Sequence, residues 1–317
     1  MSEPSQAMIL GTRGSDLAVA QANLVVSALS QRHDGLAIER RILKTEGDLR
    51  DEGPFGPGDR GVFVRTIERA LLAGKIDFAV HSLKDLPSGE TPGLVVAAVP
   101  KREDPRDALV SLSGGDLERL PHGATVGTGS PRRRGQLLLA RPDLRIEPLR
   151  GNIDTRAARV REGDLDAVVL AAAGLIRLRL DRSWCVIDPG ICLPAVGQGA
   201  LALQARADDR VTIERLAVLE DPVTRFQVDA ERAFLAELGG GCMAPATAWA
   251  REDSGGLRID AMVAAIDGEH RFVEGCLCSY ADGPDEGRRL AQRLNDRGAQ
   301  HWIELARKGA VRGAKEA

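Results

Sequence analysis

The feature that most limits the fold is a strand–turn–helix unit that occurs twice, at GTRGS (11–15) and at GTGSPRR (127–133). Each turn places hydroxyl groups and backbone N–H donors at a helix N-terminus, which attracts anions through those donors and its positive dipole end. Ser15 and Ser130 are equally suited to ordinary N-capping, and Pro131 is typical of a first helical position. Neither turn is a GxGxxG fingerprint or a P-loop, so the sequence favours a carboxylate or phosphate site.

Strand and helix patterns alternate on both sides of residue 104. In the helix after Ser15, the spacing predicts an apolar stripe of Leu17, Leu24 and Ala28. From Thr224 the pattern changes to one helix, a glycine loop, two strands and further helices. Strands are predicted at 7–10, 36–43, 78–83, 94–99, 108–112, 124–129, 144–149, 167–172, 257–265 and 271–279. We therefore predict an α/β fold with two lobes and a smaller C-terminal α+β domain. The predicted boundaries are 1–103 with 197–219 returning, 104–196, and 220–317.

Positive charge is concentrated in one stretch. Nine arginines and three carboxylates lie between Thr128 and Arg161, a local charge of +6 in a chain whose net charge is −3. A basic site on an acidic protein suits a small polyanion better than nucleic acid. The aromatic content of 3% also argues against a platform that stacks single-stranded bases. Arginine is the side chain that grips carboxylates bidentately.

Several classes of protein are disfavoured by what the sequence lacks. It has no apolar run of membrane-spanning length and no basic, apolar start typical of a signal peptide. The five cysteines are odd in number and form no CxxC pair, which indicates free thiols in a reducing cytoplasm. The five histidines are scattered, so no metal site is predicted.

Two short segments carry candidate chemistry. In HSLKDLP (81–87), Lys84 and Asp85 stand where an apolar strand ends, the place at which α/β sheets bind ligands. An ordinary surface Lys–Asp pair explains them equally well. In GGGCMAPA (239–246), three glycines precede Cys242 and leave the thiol accessible to a large group. The alternative is a helix that ends at Gly239, followed by a small buried cysteine.

Seven motifs in order identify the family that the chain resembles. They are GTRGSDLAVAQ, HSLKDLP, REDPRDAL, GTGSPRR, LRGNIDTR, LPAVGQGAL and ERAFLAELGGGC, and they span nearly the whole chain. Together they resemble the porphobilinogen deaminases, also called hydroxymethylbilane synthases. The resemblance implies three domains, the first two built like a periplasmic binding protein with the active cleft between them. It implies stepwise deamination and head-to-tail condensation of four porphobilinogens on a covalent primer, then hydrolysis that releases hydroxymethylbilane.

The resemblance also implies roles for individual residues. Cys242 would carry a dipyrromethane cofactor through a thioether, made from the enzyme's own substrate. Asp85 would be the central catalytic residue, beside Lys84. The carboxylates of substrate and cofactor would be bound by Arg13, Ser15, Thr128, Ser130, Arg132, Arg133, Arg150, Arg156 and Arg177. The implied protein is a monomeric cytoplasmic transferase that acts on small polycarboxylate pyrroles and uses neither nucleic acid nor membrane as a partner.

Two positions depart from the family pattern. Gly129 stands where many relatives have serine, so one hydroxyl contact is absent. The segment 47–61 corresponds to a mobile loop at the cleft mouth in the family, with Arg60 as its charge and Gly56 where a lysine is expected. We expect this segment to act as a lid. The alternative function is a two-lobed carboxylate-binding or effector-sensing module without catalysis, which would need neither Cys242 nor Asp85.

Overall fold

The structure is a computed structural model that describes residues 7–44, 62–180, 184–239, 241 and 244–313. Its strands are, in chain order, β1 (Met8–Thr12), β2 (Ile38–Ile42), β3 (Phe78–Ser82), β4 (Leu94–Ala98), β5 (Asp107–Ser111), β6 (Thr125–Gly127), β7 (Arg145–Glu147), β8 (Ala167–Ala171), β9 (Trp184–Val186), β10 (Leu201–Arg206), β11 (Ala246–Asp253), β12 (Gly256–Ala264) and β13 (Arg271–Cys278). Its helices are α1 (Asp16–Ser30), α2 (Val62–Leu72), α3 (Pro131–Ala140), α4 (Ile153–Arg161), α5 (Ala172–Arg177), α6 (Arg210–Ala217), α7 (Pro222–Leu238), α8 (Gly283–Asp296) and α9 (Ala299–Gly313).

The described residues form two compact units. The first draws on residues 1–102 and 200–225, and the second on 103–199 and 226–312. The second unit therefore contains both the predicted second lobe and the C-terminal sheet. The three-domain division itself stays a prediction. None of the helices in the described ranges is long and apolar enough to span a bilayer.

The first unit is built on a five-stranded sheet in the order β2-β1-β3-β10-β4. β1 is parallel to both β2 and β3, whereas β10 is antiparallel to both β3 and β4. One face of the sheet buries Leu10, Phe78 and Leu203 with helix α1, because alternate strand residues point to the same side. The other face buries Ala79 against Ile67 and neighbouring residues of α2.

The second unit repeats this strand pattern in the order β7-β6-β8-β5-β9. Again three strands are parallel, and the next one, β5, is antiparallel to both of its neighbours. In each lobe, the antiparallel strand comes soon after the chain crosses from the other unit. The chain enters the second unit after residue 102 and then forms β5, and it returns to the first unit after residue 199 and then forms β10. The predicted α/β class with two similar lobes is confirmed.

A third sheet, also in the second unit, is a meander of β11, β12 and β13 covered by helices. It packs against α3 closely enough to require a glycine there. A Cβ added at Gly135 would lie 2.6 Å from the carbonyl oxygen of Ala265. The turns at GTRGS (11–15) and GTGSPRR (127–133) are called the two GT-turns. The helix of the second GT-turn, α3, is thus in direct contact with the C-terminal sheet.

Two details of the sequence predictions need correction. In α1 the residues buried against the sheet are Ala22, Val25 and Leu29, whereas Leu24 of the predicted stripe is 51% exposed. Apolar residues occur on more than one face of this helix, so spacing alone selected the wrong stripe. Strands β9, β10 and β11 were not predicted: β9 has only three residues, and β10 and β11 are rich in alanine, which does not favour strands.

Candidate active site

The predicted residues of the first unit lie at one edge of its sheet. Arg13 and Ser15 follow β1, while Lys84 and Asp85 follow β3, the parallel neighbour of β1. The chain runs from β1 to β2 on one side and then to β3 on the other, so the strand order reverses between β1 and β3. Open α/β sheets bind ligands in the crevice at such a switch point, beyond the carboxyl ends of the strands.

Asp85 stands at the end of a short 3-10 turn over Leu83–Asp85. The buried side chain of Leu83 anchors this turn, and the Leu86 N–H donates to the Leu83 carbonyl at 3.1 Å. The Asp85 side chain is exposed, and within the described ranges no residue donates a hydrogen bond to its carboxylate. Its negative charge is therefore available at the strand edge.

Ser15 is the N-cap of α1, as predicted. Its Oγ accepts a hydrogen bond from the Ala18 N–H at 3.4 Å. An N-cap serine uses its oxygen as the acceptor and keeps its hydroxyl proton for another partner. The hydroxyl can therefore cap the helix and donate to an anion at the same time.

The second unit presents its predicted residues in the same way. Thr128 and Ser130 follow β6, and Arg177 ends the short helix after β8. The strand order reverses between β6 and β8, since the chain visits β7 in between. Ser130 caps α3 by accepting from the Arg133 N–H at 3.4 Å, and Thr128 Oγ1 accepts from the Ser130 N–H at 3.3 Å.

Arg132 and Arg133 have a partner that the sequence did not indicate. Nη1 of Arg132 donates to Oδ2 of Asp107 at 2.8 Å, and Nη2 of Arg133 donates to Oδ1 at 2.7 Å. Asp107 is completely buried at the start of β5. Burial opposes its ionisation, but the two guanidinium groups outweigh burial and hold the pKa of Asp107 well below its usual range. Asp107 belongs to the REDPRDAL motif. Its place in that motif is the feature of the sequence that could have marked it as a candidate site residue.

The basic stretch is less available to a ligand than its local charge suggested. Carboxylates and backbone carbonyls of the unit engage at least six of its nine arginines: Arg132 and Arg133 on Asp107, Arg141 on Asp143, Arg159 on Asp164, Arg134 on the Ile146 and Ile266 carbonyls, and Arg156 on the Gly151 carbonyl. Counting charge along the chain ignores partners that folding brings in. The stretch therefore supplies a few specific contacts rather than a broad positive surface.

The other predicted arginines differ in exposure. Arg150 is exposed after β7, and Arg156 on α4 donates from Nε to the Gly151 carbonyl at 2.7 Å. Arg177 is mostly buried and donates from Nη2 to the Gly199 carbonyl at 2.6 Å. Burial lowers the pKa of Arg177 to about 10, although the charge of Glu103 opposes this. Arg177 stays cationic at neutral pH and lies beside the chain segment that leaves the second unit.

Cys242 lies outside the described residues, as does the predicted lid with Arg60. The flanking Gly239 and Gly241 both have positive φ, 70° and 64°, which favours glycine. Burial raises the pKa of the Cys192 thiol to about 12 and that of Cys276 to about 11. A high pKa leaves little thiolate, so these two cysteines are poor nucleophiles at neutral pH.

One group within the described ranges could offer three metal-ligand atoms: Asp267, Glu269 and His270. All three are exposed in the turn between β12 and β13, not at either switch point. The absence of a metal from the reaction stays a prediction.

Comparison with known families gives matches to both parts of the chain. The model described as "Porphobilinogen deaminase, dipyromethane cofactor binding domain" matches residues 8–214. The model described as "Porphobilinogen deaminase, C-terminal domain" matches residues 225–296. The two matches together cover most of the chain, including every predicted site residue.

Curated relatives agree with these matches. A porphobilinogen deaminase of Roseiflexus sp. (strain RS-1) is 47% identical over 298 residues, 93% of this chain and 98% of the relative. One from Rubrobacter xylanophilus is 46% identical over 313 residues, covering 97% and 98% of the two chains. One from Deinococcus radiodurans is 45% identical over 306 residues, covering 94% and 98%.

Solved structures give weaker likenesses. The BenM effector binding domain with benzoate is 12% identical and covers 68% of this chain and 90% of its own, with a TM-score of 0.42. The second substrate binding domain of a putative amino acid ABC transporter from Streptococcus pneumoniae is 14% identical and covers 67% and 91%, with a TM-score of 0.43.

Proposed function

Because the chain belongs to the porphobilinogen deaminase family, we propose that its two sheet edges hold and join porphobilinogen units through the residues identified at those edges. The observation that carries this assignment is positional. In each unit, the residues predicted at the ends of β1 and β3, or of β6 and β8, flank the switch point of the sheet. This edge is where an α/β sheet of this kind receives a ligand.

The reaction has a defined balance of atoms. The aminomethyl carbon of porphobilinogen loses ammonia, forms a bond to the α-carbon of the preceding pyrrole, and that α-carbon loses a proton. Four such additions are followed by cleavage with water, which releases hydroxymethylbilane. A dipyrromethane attached through Cys242 would supply the first nucleophilic pyrrole carbon and a covalent anchor for the growing chain. The protein's own part is to place the rings, stabilise the cation left when ammonia departs, and exclude water until the chain is complete.

The residues present suit a polycarboxylate such as dipyrromethane. The N-terminus of α3 offers backbone donors beside Thr128 and Ser130, and Arg132 offers guanidinium nitrogens that no described residue accepts from. Helix N-termini and arginine side edges are the usual protein partners of carboxylates. In the proposal Thr128, Ser130, Arg132, Arg150, Arg156 and Arg177 hold the pyrrole carboxylates in the second unit. Arg133, whose three nitrogens all donate to protein acceptors, supports this site instead of binding a pyrrole carboxylate itself.

Asp85 is the proposed catalytic residue. Its carboxylate is exposed, and the 3-10 turn after β3 fixes its place. A fixed negative charge beside a pyrrole ring accepts the ring N–H and stabilises positive charge as ammonia leaves. Lys84, Arg13 and Ser15 at the same edge bind carboxylates of the same rings.

Replacing Asp85 by asparagine tests this role, because the amide keeps the shape and removes the charge. We expect kcat for ammonia release to fall about 100- to 1,000-fold, as when one oriented electrostatic group is lost. Asp34→Asn is the matched control, since Asp34 is an exposed aspartate in the turn between α1 and β2 of the same unit. Wild-type kcat in Asp85→Asn would exclude the proposed role.

The proposal extends to a monomeric transferase that acts in a reducing compartment such as the cytoplasm. The four cysteines within the described ranges are all free thiols, which is usual where thiols stay reduced. Light scattering on the purified protein measures the monomer directly: a mass near 33.9 kDa is expected, and twice that mass would contradict it.

A further inference from the structure

Three sequence motifs meet at one buried carboxylate in the second unit. Asp107 of REDPRDAL accepts hydrogen bonds from Arg132 and Arg133 of GTGSPRR, at 2.7–3.0 Å. It also accepts from Nε2 of Gln198 of LPAVGQGAL, at 2.8 Å. Gln198 donates to the Pro105 carbonyl at 2.7 Å as well, which fixes the segment just before Asp107. The carboxylate therefore links β5, the start of α3 and the segment before β10.

The charges in this cluster do not cancel. Two guanidinium groups share one carboxylate, and within the described ranges no second carboxylate forms an ion pair with either arginine. The side chains of Arg132, Arg133 and Asp107 are 6%, 8% and 0% exposed. Burying an excess charge is unfavourable unless another charge compensates it. The cluster is thus one negative charge short, and a bound anion would supply it.

The two arginines differ in how many donors they have left. Arg133 engages all three nitrogens: Nε and Nη2 donate to Asp107, and Nη1 donates to the Val169 carbonyl at 2.8 Å. Arg132 engages only Nη1, which contacts Asp107 and also donates to the Leu193 carbonyl at 2.5 Å. Among the residues that the structure describes, none accepts a hydrogen bond from Nε or Nη2 of Arg132.

The free edge of Arg132 is suited to one kind of ligand. Nε and Nη2 are the two parallel donors that bind a carboxylate bidentately. Arg132 and Arg133 follow Pro131 in the first turn of α3, where the helix dipole also favours an anion. The guanidinium group is planar and rigid, so the hydrogen bond from Nη1 to Asp107 also restricts the positions of Nε and Nη2.

We propose that Asp107 is a positioning residue. It holds Arg132 by Nη1 so that Nε and Nη2 of Arg132 bind one carboxylate of the pyrrole chain. Arg133 has a structural role, because it links Asp107 to the Val169 carbonyl. This rests on the proposed function, because it takes that chain as the ligand. The two adjacent arginines then have separable roles. Loss of Arg132 weakens binding of the carboxylate, and loss of Arg133 weakens the fold around Asp107.

The test compares Arg132→Lys, Arg133→Lys and Asp107→Asn in the full-length protein. We expect Arg132→Lys and Asp107→Asn each to raise KM for porphobilinogen about 10- to 100-fold, as for loss of a hydrogen bond to a charged group. The double variant that combines Asp107→Asn with Arg132→Lys should have nearly the KM of Arg132→Lys alone, because Asp107 acts through Arg132. Arg133→Lys should lower the midpoint of thermal unfolding more than Arg132→Lys does. Asp143→Asn, which removes another arginine-paired aspartate of this unit, should leave KM unchanged.

Intact mass provides the readout that does not depend on turnover. We expect Asp107→Asn and Arg132→Lys to carry covalent dipyrromethane on a smaller fraction of molecules than the Asp143→Asn protein does. If Asp107→Asn does not fold, the KM values of Arg132→Lys and Arg133→Lys still test whether the two arginines have separate roles. Equal KM values for those two, or multiplying effects in the double variant, would overturn the proposal. A wild-type protein without deaminase activity would instead overturn the proposed function.

Discussion

Arg132 and Arg133 are adjacent in the sequence but differ in what they can still bind. Asp107 engages both, and only Arg132 keeps a pair of donors without a described acceptor. Such a difference arises because the helix turns the two side chains by about 100° relative to each other. One of them faces into the unit, and the other has an edge left for a ligand.

His81, in the HSLKDLP motif, is a buried ionisable residue of the first unit. It lies on the sheet face that also carries Gln204 of β10 and that packs against α2, the helix of Glu68. Nε2 of Gln204 donates to Oε1 of Glu68 at 3.0 Å. Thr91 also donates to Glu68 at 2.8 Å. Burial lowers the pKa of His81 to about 4, although the charge of Glu68 opposes this. His81 is therefore neutral at physiological pH.

The lowered pKa of His81 predicts how stability depends on pH. Between pH 6.5 and about 4 the unfolded chain binds a proton at this residue that the folded chain does not. The free energy of unfolding should therefore decrease by about 1–3 kcal/mol from this residue as pH falls through that range. Urea denaturation at several pH values should show a shallower decrease in His81→Gln than in wild type. His122→Gln, at an exposed histidine, is the control; equal slopes in all three proteins would contradict the prediction.

For individual residues, the sequence predicted where side chains lie relative to a strand better than it predicted which groups they form hydrogen bonds with. It placed Asp85 and Arg132 at strand ends, because motif position relative to a strand is local information. It did not find Asp107, which pairs with residues 25 and 26 positions away through tertiary structure alone. The role of individual arginines in the basic stretch could not follow from sequence for the same reason.

At the scale of secondary-structure elements, the two GT-turns act alike. Each follows a central parallel strand, each begins a helix capped by a serine, and each lies at the switch point of its sheet. The sequence predicted both turns because capping residues and apolar strands are local patterns. It missed β10 and β11, since alanine and leucine in these segments also favour helix and pairing with distant strands decides the outcome.

The contact between α3 and the third sheet gives a prediction at this scale. Alanine normally stabilises a helix relative to glycine by about 0.5–1 kcal/mol. At Gly135, however, the added Cβ would lie 2.6 Å from one backbone carbonyl oxygen and 3.0 Å from another. We expect Gly135→Ala to lower the free energy of unfolding by about 1–3 kcal/mol, as overpacking does. Chemical denaturation measures this change.

Gly89→Ala serves as the control for that measurement. A Cβ at Gly89 would meet nothing within 4 Å, and its backbone does not have a positive φ. The control should be neutral or slightly stabilising, because alanine restricts the unfolded chain. A Gly135→Ala protein as stable as the Gly89→Ala protein would show that α3 and the third sheet can separate at no cost.

At the scale of the whole molecule, the two units use one sheet topology in two ways. The first unit provides the exposed carboxylate of Asp85 together with Arg13, Lys84 and the N-terminus of α1, and the second provides arginines and the N-terminus of α3. These groups fit a reaction in which carboxylate groups are held while positive charge develops on the ring system.

The central claim is that this chain builds a tetrapyrrole on a primer attached to Cys242. The intact mass of the purified full-length protein tests it most directly. We expect wild type to be heavier than the 33.9 kDa chain by two porphobilinogen molecules less two molecules of ammonia. Cys242→Ala should have the unmodified mass, and Cys192→Ala should keep the addition. An unmodified wild-type mass, or an unchanged addition in Cys242→Ala, would contradict the claim.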